Sequence, residues 1–303
     1  MLTDNLLQIA LGLLASALSA GFGWAARQAV ARRARRRMQD FFGLRPDTEA
    51  LLVVPRHMSG RENSVHRDDV LALTALAVLA RECGGRVVLQ AHDAVRRGLG
   101  DKTEFCVGGP VANARSAAHL RWRLPGLRVE EEPDRPTAPG VFRIGERTYR
   151  RGPDAAYVVL ARLASPDDGT GAPGHPVFLV CGQTAVTNQA GAQYLARHHR
   201  ELARSVRRGR GRGDADLCLL LRVVDTASYG PDVVELVADV TREALAPVAA
   251  PAGATPDEAT VPPRDAALPA GAQTGDEGLR DEEPGNQEPG HEEGDAAGAV
   301  TGR

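Results

Sequence analysis

The chain has 303 residues, room for one or two globular domains, and its net charge of −2 averages three unlike segments. Residues 1–37 sum to +5, residues 247–303 to −9, and the stretch between them to about +2. A near-neutral centre excludes a general nucleic-acid binder, and four cysteines without a Cys-x-x-Cys pair, beside eight histidines in no ligand spacing, give no metal site.

Asn5 to Ala26 is a run of 22 residues without a formal charge. As a helix rising 1.5 Å per residue it would cross a hydrocarbon layer of about 30 Å. Arg27, Arg32, Arg33, Arg35, Arg36 and Arg37 follow, whereas only Asp4 precedes it. A cleaved export signal would carry its basic residues first, although Ala17 to Ala20 resembles a cleavage site. The positive-inside rule then sets the N-terminus outside and the remainder in the cytoplasm. The expected organisation is a transmembrane anchor (1–27), a basic juxtamembrane linker (28–44), a cytoplasmic α/β domain (45–246) and a disordered acidic tail (247–303). Ala15, Ser19 and Gly23 form a small-residue stripe that admits a homodimer without predicting one. The tail is rich in Pro, Gly, Ala and acids and has no aromatic residue, too little apolar surface to offset its ordering entropy.

Between anchor and tail, short apolar runs alternate with helical periodicity. Ala50–Val54 reads as a buried strand. A helix capped by Ser64, with Asp68 and Asp69 in its first turn, presents Val70, Leu73, Leu76, Ala77 and Ala80 and stops at Gly84-Gly85. Arg86–Gln90 and Phe105–Val107 are further strands, and a helix runs from Asn113 to Leu124. Val141–Arg150 reads as a hairpin around Gly145-Glu146, and Tyr157–Leu163 and Val177–Cys181 as strands. A long helix covers Ala185 to about Val206, and Leu217–Val224 and Val233–Val240 precede a closing helix near Arg242. This alternation predicts an α/β fold: a three-layer Rossmann-like sandwich with a mixed, largely parallel sheet behind one N-terminal transmembrane helix. Cys83, Cys106, Cys181 and Cys218 read as buried thiols of a reducing compartment.

Two strand–glycine–helix junctions carry the candidate chemistry. The first is Phe105-Cys106-Val107-Gly108-Gly109-Pro110 with Asn113. The second is Val180-Cys181-Gly182-Gln183-Thr184 with Asn188. Ligands of open α/β sheets bind at strand carboxyl ends, where helix-start N–H groups favour an anion. The bland account makes the glycines tight turns and Asn113 and Thr184 helix caps. Neither junction has the Gly-x-Gly-x-x-Gly or Gly-Lys-Ser/Thr pattern, which disfavours dinucleotide binding and NTP hydrolysis. The loop after the first strand holds Arg56, His57, Arg61, Glu62, Asn63 and His66. Its arginines suit a phosphate, and Glu62 with His66 could form an acid/base pair. His92-Asp93, Glu104, His198-His199 and the Arg/Gly run 207–213 read first as surface residues or linkers.

The two junctions and the Tyr229-Gly230-Pro231-Asp232 turn resemble those of uncharacterised membrane-anchored bacterial proteins of high-GC genomes, over roughly residues 45–245. That resemblance implies a fold and an anchor but no activity, and likeness to nucleotide-sensing Rossmann-like domains is one of layout alone. The leading expectation is a membrane-tethered sensor binding a nucleotide-like or phosphorylated small molecule, with the membrane as partner through residues 5–26 and nucleic acid as none. Its ligand residues would be Gly108, Gly109, Asn113, Gly182, Gln183, Thr184, Asn188, Arg56 and Arg61. The rivals are an enzyme acting on a nucleotide or glycosidic bond, with Glu62, His66 or Glu104 as its catalytic groups, and an interaction scaffold without a small-molecule site. No cofactor is specified.

Overall fold

The computed structural model describes residues 2–61, 64–95, 100–130, 140–165, 175–209 and 216–247, and, outside residues 2–13, 15, 17 and 207–209, their side chains. Glu62, Asn63, the Arg/Gly run from residue 210 and the acidic tail from residue 248 lie outside the described residues.

The apolar runs form a seven-stranded sheet. In chain order its strands are β1 (Glu49–Val54), β2 (Arg86–Ala91), β3 (Thr103–Val107), β7 (Ala155–Leu163), β8 (Val177–Gly182), β9 (Leu217–Val224) and β10 (Val234–Asp239). Their order across the sheet is β10-β9-β7-β8-β3-β1-β2. β2, β1, β3 and β8 are mutually parallel, with Leu52 opposite both Leu89 and Phe105. β7 inserts antiparallel between β8 and β9, and β10 closes the edge antiparallel to β9. The mixed sheet and the Rossmann-like layout are therefore as expected. Strands buried on both faces show no polar alternation, so β8 and the Phe105–Val107 part of β3 read as continuous apolar runs, while the buried Thr103 and Glu104 open β3.

Alternate strand residues feed two cores. Leu52, Phe105, Val107, Val158, Leu160, Phe178, Val180 and Leu219 pack under α1 (Leu2–Phe42), α2 (Arg67–Cys83) and α4 (Ala185–Gly209). Val53, Cys106, Val159, Leu179, Cys181 and Leu220 face α3 (Ala114–Arg123), α6 (Thr241–Leu245) and a small antiparallel sheet. That sheet joins the expected hairpin, β5 (Val141–Ile144) with β6 (Arg147–Tyr149), to β4 (Leu127–Glu130). β4 is too short for its pattern to stand out after Pro125. A single turn, α5 (Thr226–Tyr229), links β9 to β10. All four cysteines are buried and unpaired.

Two helix boundaries differ from the sequence reading. His66, not Ser64, caps α2, its ring nitrogen accepting from the Asp68 N–H. The buried face of α2 is Ala72, Leu73, Leu76, Leu79, Ala80 and Cys83, while Val70 is exposed. The larger difference is α1. The segment expected as a juxtamembrane linker, 28–44, is helical to Phe42, and Phe41, Phe42 and Leu44 are buried in the core. The Phe42 ring lies 5.0 Å from Phe178 and 6.1 Å from Phe105. Gly43 ends the helix at φ +62°, where a Cβ would meet Pro176 at 2.3 Å.

Among the described residues no helix is long and apolar enough to cross a membrane. The run expected to do so occupies the N-terminal half of α1, where the side chains of 2–13, 15 and 17 lie outside the description. Farther along, Leu14, Leu18, Phe22, Trp24 and Val30 are exposed on α1. Phe42→Ala is expected to lower unfolding stability by about 3–5 kcal/mol, and Phe22→Ala to leave it unchanged. Urea unfolding of the two variants checks this, and a negligible loss for Phe42→Ala would mean that α1 is not part of the core.

Candidate functional site

Because β1, β3 and β8 are parallel, their carboxyl ends share one edge, from which α2, α3 and α4 begin. The chain leaves β1 toward β2 on one side, while β3 is flanked by β8 on the other, so the topological switch point lies between β1 and β3. α1 enters at the opposite edge. Thr103, the first residue of β3, bonds the Phe42 carbonyl, and Pro176, just before β8, packs on Gly43.

At the switch point the two loops are bonded to each other. The Arg56 backbone N–H donates to Ala112 O at 2.9 Å and its Nε to Val111 O at 3.2 Å. Gly108 is buried at φ +96°, and a Cβ there would sit 3.1 Å from Pro55, so this glycine serves loop packing. Asn113 is fully buried. Its Oδ1 accepts the Arg115 and Ser116 N–H groups and its Nδ2 donates to Val107 O at 2.8 Å. The bland account, a helix cap, describes Asn113 completely. Gly109 differs: it is half-buried, and a Cβ would meet nothing closer than 3.8 Å.

The second junction is also drawn inward. Gln183 accepts from the Tyr157 N–H and donates to Gly140 O and Tyr149 O, tying the small sheet to β7 and β8. Thr184 and Thr187 exchange bonds in the first turn of α4. A Cβ on Gly182 would fall 2.3 Å from Thr187 Oγ1, so substituting Gly182 would disturb the fold itself. Asn188 accepts the Gly182 N–H at 2.7 Å and donates to Asp69 Oδ1 at 2.8 Å. Gly109 and Thr184, with exposed Arg56 and Arg61, are left to line the accessible part of this edge.

Asp69 is the residue that the sequence reading missed. It passed for a carboxylate favourable to the helix dipole, yet it is 6% exposed and joins the first turns of α2 and α4. Burial raises its carboxyl above the usual range, against the lowering effects of the Asn188 bond and the nearby His66 and His57, with Asp68 adding to the rise. The His57 and His66 rings stack 5.2 Å apart beside it. The available clue was positional: a second acid directly behind a cap residue, at a helix start that follows a parallel strand.

Glu104 lies away from this edge, beneath α3. Arg115 grips its carboxylate with two bonds of 2.9 and 2.5 Å, and His119 Nε2 donates to it at 3.1 Å. Burial alone would raise this carboxyl, but the bonds from His119 and Arg115 and the guanidinium charge hold it below its usual range. With Cys106 the group offers three potential metal ligands within 4.8 Å of one another. Arg115 engages both carboxylate oxygens and His119 one of them, so the arrangement is a buried ion-pair network, beside which burial pushes the Cys106 thiol up. His92 Nδ1 accepts the Ala114 N–H at 3.3 Å, and Asp93 is exposed. His198 and His199 are half-buried rather than solvated, with His199 6.0 Å from the Phe42 ring. A surface depression of about 630 Å³ beside α6, lined by Asp239, Thr241 and Arg242, contains none of the expected residues.

No known protein family and no curated protein matches this chain.

The two acids predict opposite pH behaviour. Glu104, lowered on folding, stabilises above its ordinary value of 4.5, and this is lost as pH falls through its folded value. Glu104→Gln should therefore cost about 3 kcal/mol at pH 7, where Arg115 is left unpaired, with the deficit shrinking in acid. Asp69, raised on folding, has its stabilising contribution below its ordinary value of 3.8 and loses it as pH rises. Asp69→Asn keeps an acceptor for Asn188, so its melting temperature should gain on wild type between pH 4 and pH 7. Melting curves across that range check both signs.

Proposed function

We propose that this protein is a membrane-tethered domain that binds a soluble, phosphorylated or nucleotide-like small molecule at the carboxyl edge of its parallel strands. The observation that carries the reading is Asp69: an acid whose ionisation opposes folding, held where the first turns of α2 and α4 meet. Groups of this kind gather at functional sites, where a ligand supplies the missing compensation. The helix starts together with exposed Arg56 and Arg61 suit a phosphate, and Asp69 suits a hydroxyl or amino donor of the attached sugar or base.

The tether rests on the uncharged run Asn5–Ala26, the arginines behind it and the exposed apolar side chains of α1. In this reading α1 spans the membrane with the N-terminus outside, and the domain lies in the cytoplasm. Since α1 meets the sheet at the far edge from Asp69, the ligand arrives from the aqueous side, which favours a soluble molecule over a lipid.

An enzymatic role on a nucleotide or glycosidic bond would fall to Asp69 with His57 and His66 rather than to Glu104, whose carboxylate is engaged by Arg115 and His119. Glu62, the other candidate, lies outside the described residues. Thermal shift of the detergent-solubilised chain against nucleoside mono-, di-, tri- and cyclic phosphates tests the proposal. At least one should raise the midpoint of wild type but not of Gly109→Val, where the added Cβ meets nothing closer than 3.8 Å and a ligand-free midpoint equal to wild type shows that the variant is folded. If no compound acts, or if Gly109→Val responds like wild type, the site is wrong. Turnover of the bound compound by wild type, lost in Asp69→Asn with binding retained, would favour the enzyme.

A further inference from the structure

Six arginines, Arg27, Arg32, Arg33, Arg35, Arg36 and Arg37, form a collar on α1 between the uncharged run Asn5–Ala26 and the buried end of the helix. All six are exposed, and no ion pair joins any of them to a described residue. Several arginines of the domain, Arg86, Arg115, Arg123, Arg143 and Arg222, each meet an acid. Within the collar, Arg32 with Arg36 and Arg33 with Arg37 sit one turn apart, a like-charge spacing that destabilises an isolated helix. At about 100° per residue the arginines of residues 32–37 cover roughly 200° of the helix circumference, and Arg27, about a turn and a half earlier, projects into the remaining arc. The collar therefore calls for a negative environment that surrounds it.

We propose that the collar Arg27–Arg37 docks into the anionic phospholipid headgroups of the membrane that α1 enters, holding the domain against that surface. The inference rests on the tethered reading above. Charge on all sides suits a rod passing through a layer of headgroups, whereas a nucleic-acid duplex would meet one side only. Trp24, exposed at the boundary between apolar run and collar, has the amphipathic ring that concentrates at membrane interfaces. Helix α1 continues without a break from the collar to Phe42 in the core, so headgroup contact fixes the stance of the whole domain.

The test uses the full chain carrying Trp122→Phe, which removes the one other tryptophan at an exposed site. It is reconstituted in vesicles of phosphatidylcholine alone or with phosphatidylglycerol added. Trp24 emission reports insertion, and trypsin cleavage within the collar is measured against cleavage at exposed Arg151. The expected result is blue-shifted Trp24 in both lipids, with collar cleavage slowed by about tenfold only where phosphatidylglycerol is present. That protection should vanish in about 1 M salt, where charges are screened within a few ångströms. Equal cleavage in both lipids with Trp24 shifted would overturn the docking and leave the tether standing. Unshifted Trp24 in both would overturn the tether and the docking together. Equal protection by a short DNA duplex added to phosphatidylcholine vesicles would also overturn the choice of lipid.

Discussion

Helix ends leave carbonyl oxygens without partners, and a helix can end inside a hydrophobic core only where donors meet them. The end of α1 satisfies this condition. Arg162, 4% exposed, donates its Nε to Phe41 O at 3.0 Å and lies 5.6 Å from the Phe41 ring. Thr103 donates to Phe42 O at 2.9 Å, and His175 to Gly43 O at 2.9 Å. Phe41, Phe42 and Leu44 can then pack against Phe105, Phe178 and α4 without burying bare polar groups. Without these donors α1 would be a stalk on a linker; with them it is a structural part of the domain.

The position of that junction orders the rest of the molecule. β3 and β8 begin at the α1 end and finish at the opposite edge, so one sheet separates the helix's point of entry from the carboxyl ends of the strands. At that far edge most polar groups serve the fold: Asn113 caps α3, Gln183 ties two sheets together, and Asn188 holds Gly182. Asp69 is the exception, because its burial costs stability that Asn188 and the neighbouring histidines do not fully return. The Glu104 network shows the contrast. It is as buried, but its partners hold the carboxylate charged, so it adds to the fold where Asp69 subtracts.

Long apolar runs and glycine stops made the parallel half of the sheet legible in the sequence, as did α2, α3 and α4. The antiparallel placement of β7 was not, since a strand buried on both faces carries no mark of its direction. β4 escaped notice because four residues show no periodicity. The linker reading of 28–44 failed because arginine is a good helix former, and the core-facing residues Met38, Phe41 and Phe42 lie at its very end. For the candidate site, the glycine junctions marked the carboxyl edge of the parallel strands, where the structure places both. Spacing could not tell which polar residues the fold would consume, and Asp69 looked like any acid in a first turn.

The central claim is that a soluble ligand binds at the strand edge opposite α1. Amide hydrogen exchange on the full chain, with and without the panel of nucleoside phosphates, tests it most directly. At least one compound should slow exchange in residues 55–61, 108–113 and 182–188 while leaving residues 38–44 unchanged. Unaltered exchange with every compound, or protection confined to the α1 end of the sheet, would contradict the account.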